Sequence, residues 1–383
     1  MPAKEVNRDR GFCMPGNVVK KNVLFIENTS DLIGGGQQSL LNLLRFLDRD
    51  RFSPMVVFPC DGPFAERILT LGIPVFFSDM NTLKTLNVLR LAQSVRSLIR
   101  ILRSRKIDLV HTNASRTTWY AGLACRMAGV SLVWHVRIAM RESFYDALLY
   151  LLSDRVIAIS NAVARRFPYP NSRKKVSVIY NGIDPDEFHL VDASPFRRRF
   201  KLDDKFVIGV VGQIHPLKGQ VYVIRALKQL SASFPHLHCL IVGSPTAYQR
   251  ELERMVTDLG LETSVTFTGW QQDVREVMSA LDILAVPSHT EGFGRVLIEA
   301  MACERPVVAF AVDAVPEIIE SGESGLLVPK GDLAGLVTAI RALIENRDLR
   351  QRIARNGKER VRRLFDIREN VRRTQQVYDL CKV

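Results

Sequence analysis

The sequence predicts an α/β fold in which two doubly wound, Rossmann-like domains face a central cleft and the chain ends in helices. Short apolar runs alternate with segments of helical spacing in both halves, as in KNVLFIE (21–27) followed by QQSLLNLLRFL (37–47). The length of 383 residues also exceeds what one compact core usually holds. Strands that alternate with helices form parallel sheets, and ligands bind at the carboxyl ends of such strands.

The apolar runs that we interpret as strands follow one another in a regular order. After the first run, those of the first half are PMVVFPC (54–60), IPVFFS (73–78), IDLVHT (107–112), SLVWHV (131–136), DRVIAIS (154–160) and KVSVIY (175–180). Those of the second half are KFVIGVVG (205–212), LHCLIVG (237–243), VTFTG (265–269), DILAVPS (282–288), RPVVAF (305–310) and SGLLVP (324–329). Helices are expected from about Arg347 and Ile367, with no further strand after them.

Turn-forming residues suggest where the domains meet. The segment NGIDPDEF (181–188) combines turn formers with a proline, so we place the boundary there. The predicted organisation is a flexible tail (1–19), a first domain (20–182), a linker (183–204), a second domain (205–365) and a C-terminal helix (366–383) that can cross back to the first domain.

Composition points to a folded, enzyme-sized protein of the cytoplasm. No apolar run approaches the roughly 18 residues that span a bilayer. The charged N-terminus lacks the apolar core of a signal peptide. The six cysteines form no CxxC pair, which favours reduced thiols over a zinc site or a disulfide framework.

The excess positive charge lies entirely in the first half. Residues 1–180 contain 26 Lys and Arg against 13 Asp and Glu, whereas residues 181–383 contain 27 of each kind. The segment 86–106 has helical apolar spacing flanked by Arg96, Arg100 and Arg103. Its apolar face either belongs to the core or faces anionic lipid, and the second reading predicts peripheral contact with the inner membrane face through these arginines and the groups 165–166 and 173–175. Without an aromatic platform or a recognised motif, we expect no nucleic-acid partner.

Three segments of the second half carry a resemblance to a known family. VGQIHPLKG (211–219), PSHTEGFGRVLIEAMACERPVVA (287–309) and SGESGLLVP (321–329) resemble the donor-binding half of glycosyltransferase family 4 in order and spacing. The resemblance implies a GT-B fold and a retaining enzyme that moves a hexosyl unit from a nucleotide sugar to a glycan or lipid-linked acceptor in cell-surface polysaccharide or glycolipid synthesis. A UDP-sugar is favoured and a GDP-sugar is next. No metal and no other cofactor is implied.

The segment EGFGRVLIE (291–299) is the predicted donor seat. Gly292 and Gly294 allow close approach of the main chain, and a helix that begins near Arg295 directs free amide groups toward an anion. The resemblance places Glu291 beside the donor sugar and Glu299 on the ribose hydroxyls, with Phe293 in the same loop. Read without that context, two glutamates eight residues apart are ordinary surface charges.

The family resemblance places two cations beside the leaving phosphates, and this chain matches it at one of them. Lys218 is the expected contact, because a compact cation neutralises developing charge, and a solvated lysine is the alternative. The family usually has an arginine directly after VG, but this chain has Gln213, which supplies no charge. Arg295 and Arg137 are candidates to compensate.

Further site residues come from the first domain and from the expected base-binding loop. Gly34, Gly35 and Gly36 resemble a loop that approaches the donor phosphates, although a plain turn is the alternative. His135 matches a histidine near the transferred sugar, with a core histidine as the other reading, and His111 receives no catalytic role. Gly269 and Trp270 lie where the base-binding loop is expected, although Trp270 can equally serve packing. Glu317 resembles a glutamate near the donor pocket.

One motif and two other kinds of function compete with this interpretation. Asp184-Pro185-Asp186 has the form of a metal-binding DxD motif, but we reject that reading because it lies in the linker. Another GT-B activity, such as an epimerase or a phosphorylase, is the main enzymatic rival. A non-catalytic subunit that binds a nucleotide sugar is the rival from another class, and Gln213 is what motivates it.

Overall fold

The protein is a two-sheet α/β structure, and the fold class predicted from the sequence is confirmed. The computed structural model describes residues 20–31, 34–78, 88–141 and 143–382. The predicted tail (1–19) and the start of the predicted basic helix (86–87) lie outside the described residues. The terms first domain and second domain denote residues 20–182 and 205–365.

Within the described residues, the first sheet contains seven parallel strands in the order β3-β2-β1-β4-β5-β6-β7. The strands are β1 (Lys21–Ile26), β2 (Phe52–Phe58), β3 (Val75–Phe77), β4 (Leu109–Thr112), β5 (Ser131–Val136), β6 (Arg155–Ala158) and β7 (Val176–Val178). The helices between them are α1 (Gly35–Phe46), α2 (Pro63–Leu69), α3 (Val88–Ser104), α4 (Ser115–Ala128), α5 (Ser143–Leu152), α6 (Asn161–Ala164) and α7 (Ser172–Lys175).

The second sheet, as far as the chain is described, contains six parallel strands in the order β10-β9-β8-β11-β12-β13. A short helix, α8 (Ser194–Arg199), precedes it. The strands are β8 (Phe206–Val211), β9 (Leu237–Val242), β10 (Val265–Gly269), β11 (Ile283–Val286), β12 (Val307–Phe310) and β13 (Leu326–Val328). The helices are α9 (Gln220–Leu230), α10 (Ala247–Asp258), α11 (Val274–Ala280), α12 (Arg295–Ala302), α13 (Val315–Ile318), α14 (Leu333–Glu345), α15 (Arg347–Leu364) and α16 (Ile367–Asp379), with a 3-10 turn at Pro216–Lys218.

The last helix returns to the first domain. Ile183 and Asp366 form a parallel bridge at the point where the chain leaves α15, and the amide of Ile367 donates to the carbonyl of Ile183 over 2.9 Å. From there α16 packs against α1, and Tyr378 is fully buried in the core of the first sheet. Asp184 and Asp186 of the linker pair with Arg368 of this helix at 3.3 and 2.9 Å, so these carboxylates have a structural partner.

The basic residues of the first domain do not all lie on the surface. Arg96, Arg100 and Arg103 of α3 are exposed, whereas Val95, Leu98 and Leu102 on the other side of that helix are buried in the core. The apolar stripe is therefore core. The grouping of residues 165–166 as surface charge was wrong for Arg166, which is buried and ion-paired with the equally buried Asp146. A buried guanidinium needs such a partner because its charge is costly to desolvate.

Candidate functional site

The predicted donor seat lies where β11 leads into α12, at the carboxyl edge of the second sheet. Gly294 caps the helix with φ +89°, a conformation that glycine adopts without the steric cost of a side chain. Gly292 faces the first domain so closely that a Cβ there would lie 2.8 Å from the carbonyl oxygen of Arg137. The start of α12 therefore lies against the first domain, and the N-terminus of a helix favours an anion.

Lys218 and Glu291 form an ion pair beside this seat. The ammonium nitrogen of Lys218 lies 2.6 Å from Oε1 of Glu291, and the hydroxyl of Ser288 donates to the same oxygen over 2.8 Å. The amide of Glu291 donates to Oδ2 of Asp313 over 2.8 Å. Two residues that the sequence assigned to separate parts of the donor thus belong to one cluster, which Asp313 supports. Nothing in the sequence singled out Asp313.

Arg295 and Glu299 form a second ion pair, on the first two turns of α12. The guanidinium Nη2 of Arg295 donates to Oε1 of Glu299 over 2.9 Å, and both side chains are largely buried. Its Nη1 donates to Ser39 Oγ at 3.3 Å and reaches the carbonyl of Gly182 at 3.4 Å. Arg295 therefore crosses to the first domain, where its Cδ would lie 3.0 Å from a Cβ at Gly35. The loop of Gly34, Gly35 and Gly36, called the glycine loop, leaves room for this arginine because it has no side chains there.

Arg137 occupies the matching position in the first domain, just after β5. Its Nε and Nη2 donate to Oδ1 of Asn113 over 3.0 and 2.7 Å, and its Nη1 donates to Oδ1 of Asn181 over 3.1 Å. Its Cδ would lie 3.4 Å from a Cβ at Gly36. Burial lowers the pKa of Arg137 to about 10, and the nearby Arg295 adds to that decrease. Two guanidiniums thus border the loop that begins at Gly34.

His135 lies on β5 of the first sheet, two residues before Arg137. It is 2% exposed, and its Nδ1 lies 3.3 Å from Nε2 of His111 and 3.4 Å from Nη2 of Arg137. Burial, followed by the charge of Arg137, lowers the pKa of both histidines, that of His111 to about 3. Among the described residues, Nε2 of His135 has no hydrogen-bond partner. The predicted sugar contact stays a prediction, and the burial of this ring is also what a core histidine would show.

Glu27 is a site residue that sequence reasoning missed. It follows β1 directly, is 2% exposed, and lies in the neighbourhood of Asn113 and Arg137. Burial raises its pKa to about 7, although the charge of Arg137 acts in the opposite direction. Its Oε1 has no partner among the described residues. The signal available in the sequence was its place at the end of the first strand, a position where side chains of α/β folds face the ligand.

The other predicted donor contacts are spread around the second domain. Gln213 is exposed, and its carbonyl accepts from Nε2 of Gln220 over 3.0 Å. Gly269 ends β10, and the adjacent Trp270 is 60% exposed. Phe293 is 3% exposed and packs against the rings of Tyr180 and Phe365.

Glu317 joins the two domains. Its carboxylate accepts hydrogen bonds from the amides of Asn161 and Ala162 over 2.8 Å each and from the hydroxyl of Tyr180 over 3.0 Å. It thereby caps the start of α6, where free amides and the helix dipole favour a negative charge. The hydroxyl of Ser160 donates to the carbonyl of Gly292 over 2.8 Å in the same interface. These contacts hold the donor seat against the first domain.

The chain matches two family descriptions that together span both domains. Residues 33–187 match Glycosyltransferase Family 4, and residues 193–360 match Glycosyl transferases group 1. The D-inositol 3-phosphate glycosyltransferase of Stackebrandtia nassauensis is 36% identical over 191 residues, which is 47% of this chain and 43% of that protein. The chain thus spans less than half the length of that relative.

Two further proteins resemble more of the chain. LpsB of Rhizobium meliloti, a lipopolysaccharide core biosynthesis mannosyltransferase, is 30% identical over 247 residues, which is 62% of this chain and 69% of that protein. The crystal structure of Anabaena HepE in complex with UDP and glucose superposes with a TM-score of 0.83 at 27% identity, covering 93% of this chain and 99% of that one.

No helix in the described part of the chain is long and apolar enough to cross a bilayer.

Proposed function

Because this chain belongs to glycosyltransferase family 4 and has the GT-B fold, we propose that it is a retaining hexosyltransferase. It takes the sugar from a nucleotide sugar, a UDP-sugar first and a GDP-sugar next, and passes it to a glycan or lipid-linked acceptor. The observation that carries this proposal is the Lys218–Glu291 pair beside the glycine-capped start of α12. The complex of HepE with UDP and glucose supports the choice of UDP.

The diphosphate would sit at the start of α12. An ammonium has three N–H bonds, so Lys218 can keep its contact with Glu291 and still donate to a phosphate oxygen. A carboxylate has two oxygens, so Glu291 can also accept from a sugar hydroxyl. Gln213 adds no charge, and we propose that Arg295 and Arg137, which approach the glycine loop from both domains, supply the missing positive charge.

The transfer itself would need no protein nucleophile. The acceptor hydroxyl attacks the anomeric carbon from the face that the diphosphate leaves, the bond to the phosphate oxygen breaks, and that oxygen takes the acceptor's proton. Configuration is retained because the new bond replaces the old one on the same face. The protein positions the partners and stabilises the leaving charge. Transfer should persist when divalent cations are chelated, because Lys218 and the helix amides supply the positive potential.

The first experiment is a screen followed by a transfer assay. UDP-, GDP- and ADP-sugars are compared by the thermal stabilisation that they confer, since a ligand bound to the native state raises the melting temperature. The best donor is then assayed with Lys218→Ala and Glu291→Ala, each expected to lower kcat by about 100-fold or more. Near-normal turnover in either variant would refute its role.

The chain offers a matched control for these variants. Lys358 and Glu304 form another Lys–Glu pair with the same 2.6 Å separation, in the packing of α12 against α15. Lys358→Ala removes a pair of equal length and should leave transfer unchanged. Donor binding without hydrolysis or transfer to any acceptor would favour the rival, a non-catalytic subunit that binds nucleotide sugars.

We further propose that the first domain contacts an anionic membrane and so reaches a lipid-linked acceptor. The support is the exposed arginines of α3, Arg96, Arg100 and Arg103, since each basic group near an anionic surface adds roughly 1 kcal/mol of attraction. Replacing the three by glutamine should abolish binding to acidic vesicles. The matched control replaces three exposed arginines of α15, Arg355, Arg362 and Arg363. Equal binding to neutral and acidic vesicles contradicts the proposal.

A further inference from the structure

A line of hydrogen bonds runs from the C-terminal helix to the candidate sugar contact. The hydroxyl of Tyr378, on α16, lies 2.7 Å from Nδ1 of His111 on β4. Nε2 of His111 lies 3.3 Å from Nδ1 of His135 on β5, and Nη2 of Arg137 lies 3.4 Å from that same Nδ1. The rings of His111 and His135 meet edge to face, with centroids 5.2 Å apart.

The chemistry of Arg137 determines the direction of every bond in this line. A guanidinium has donors and no acceptor, so Nδ1 of His135 must accept. His111 then donates from a protonated Nε2 and shares the single lone pair of that Nδ1 with Arg137, which fits the long distances of 3.3 and 3.4 Å. A neutral imidazole carries one proton, so Nδ1 of His111 is bare and accepts from the Tyr378 hydroxyl. No other assignment satisfies all three contacts with neutral rings.

We propose that Tyr378, acting through His111 together with Arg137, holds His135 as the neutral tautomer with its proton on Nε2. The imidazole can then only donate at that nitrogen. This step rests on the proposed function: the ligand atom opposite Nε2 is an oxygen of the transferred hexosyl unit, which accepts through a lone pair. A hydroxyl that donates to His135 is excluded. Tyr378 is thus a positioning residue that acts on the donor site from the C-terminal helix.

The surroundings keep these groups in the required protonation states. Burial lowers the pKa of His111 and His135, and the positive charge of Arg137 lowers both further, so both rings are neutral at ordinary pH. Burial raises the pKa of Tyr378 well above its ordinary range, so the phenol keeps the proton that it donates. Nε2 of His135 is buried and has no partner among the described residues, which leaves its N–H for a ligand.

The tautomer can be measured in the free protein. Long-range proton–nitrogen spectra of protein labelled with nitrogen-15 in its histidines distinguish a protonated ring nitrogen from a bare one. His135→Asn identifies the signals by their loss. We expect His135 to show a bare Nδ1 and a protonated Nε2 from pH 6 to pH 8. A proton on Nδ1, or a charged ring, overturns the proposal. Because no substrate is needed, this outcome is independent of whether the protein transfers a sugar.

The role of Tyr378 is tested by Tyr378→Phe, which keeps the ring and removes the donor. The nitrogen-15 signal of Nδ1 of His111 should shift, because this bare nitrogen loses its donor while Arg137 still requires the same tautomer. With the donor sugar saturating, kcat should fall about three- to tenfold while KM stays within about twofold, as expected for losing one neutral hydrogen bond. The matched control is Tyr169→Phe, which removes a buried hydroxyl without a partner among the described residues. Unchanged His111 signals in Tyr378→Phe contradict the relay, even if the variant loses activity.

Discussion

Replacing Glu27 by glutamine should stabilise the protein above neutral pH and have little effect in acid. The carboxyl is buried at the end of β1, and its folded-state pKa is about 7 against an ordinary value of 4.5. A raised pKa means that the folded state binds the proton more tightly than the unfolded chain does. The stability that comes from this group is complete below pH 4.5 and is lost as the pH rises through 7. Glutamine resembles the protonated form and avoids that loss.

The size of the effect follows from the shift. A difference of about 2.5 pKa units at roughly 1.4 kcal/mol per unit corresponds to about 3 kcal/mol in the free energy of unfolding at pH 8. With an unfolding entropy of about 2 cal/mol/K per residue, the melting temperature rises by about 4 °C if all 383 residues melt together. The rise is about twice as large if the first domain melts alone.

The assay is a series of thermal and urea melts between pH 4.5 and pH 8.5 for the wild type and Glu27→Gln. Glu262→Gln, which alters an exposed glutamate, is the control and should give a difference that does not depend on pH. A lower free energy of unfolding for Glu27→Gln than for the wild type at pH 8 would contradict this expectation. It would show that attraction between the ionised carboxylate and Arg137 outweighs the cost of burying the charge.

Three other substitutions test the remaining contacts. Asp146→Ala leaves the buried Arg166 without its partner and should lower the free energy of unfolding by about 3–5 kcal/mol in urea melts, and a loss below about 1 kcal/mol would contradict the buried pair. Glu317→Ala removes the cap that joins the domains, so small-angle scattering should show a larger radius of gyration, and an unchanged radius counts against this role. Gly292→Ala places a Cβ 2.8 Å from the carbonyl of Arg137, so kcat should fall by about tenfold or more with an unchanged melt, whereas full activity would mean that the domains need not approach so closely.

Much of the fold and part of the site could be predicted from local patterns. Alternation of apolar runs with helical spacing is a property of neighbouring residues, and it predicted both sheets and the helices that begin at Arg347 and Ile367. The same holds for the loop before α12, because the positive φ of Gly294 and the close approach of Gly292 both require residues without a side chain. Local spacing was misleading for Arg166, which looks like surface charge until Asp146 is placed beside it.

The residue types at the site follow from the sequence, but which of these side chains meet depends on the tertiary fold. Glu291 and Lys218 are 73 positions apart, and Tyr378 and His111 are 267 apart. Parallel strands bring such residues together through crossovers whose lengths carry no information about which side chains will meet. The same reason hid Glu27, since its burial and raised pKa depend on elements that come much later in the chain. Proton positions in the line that ends at His135 likewise follow from contacts among three separate elements.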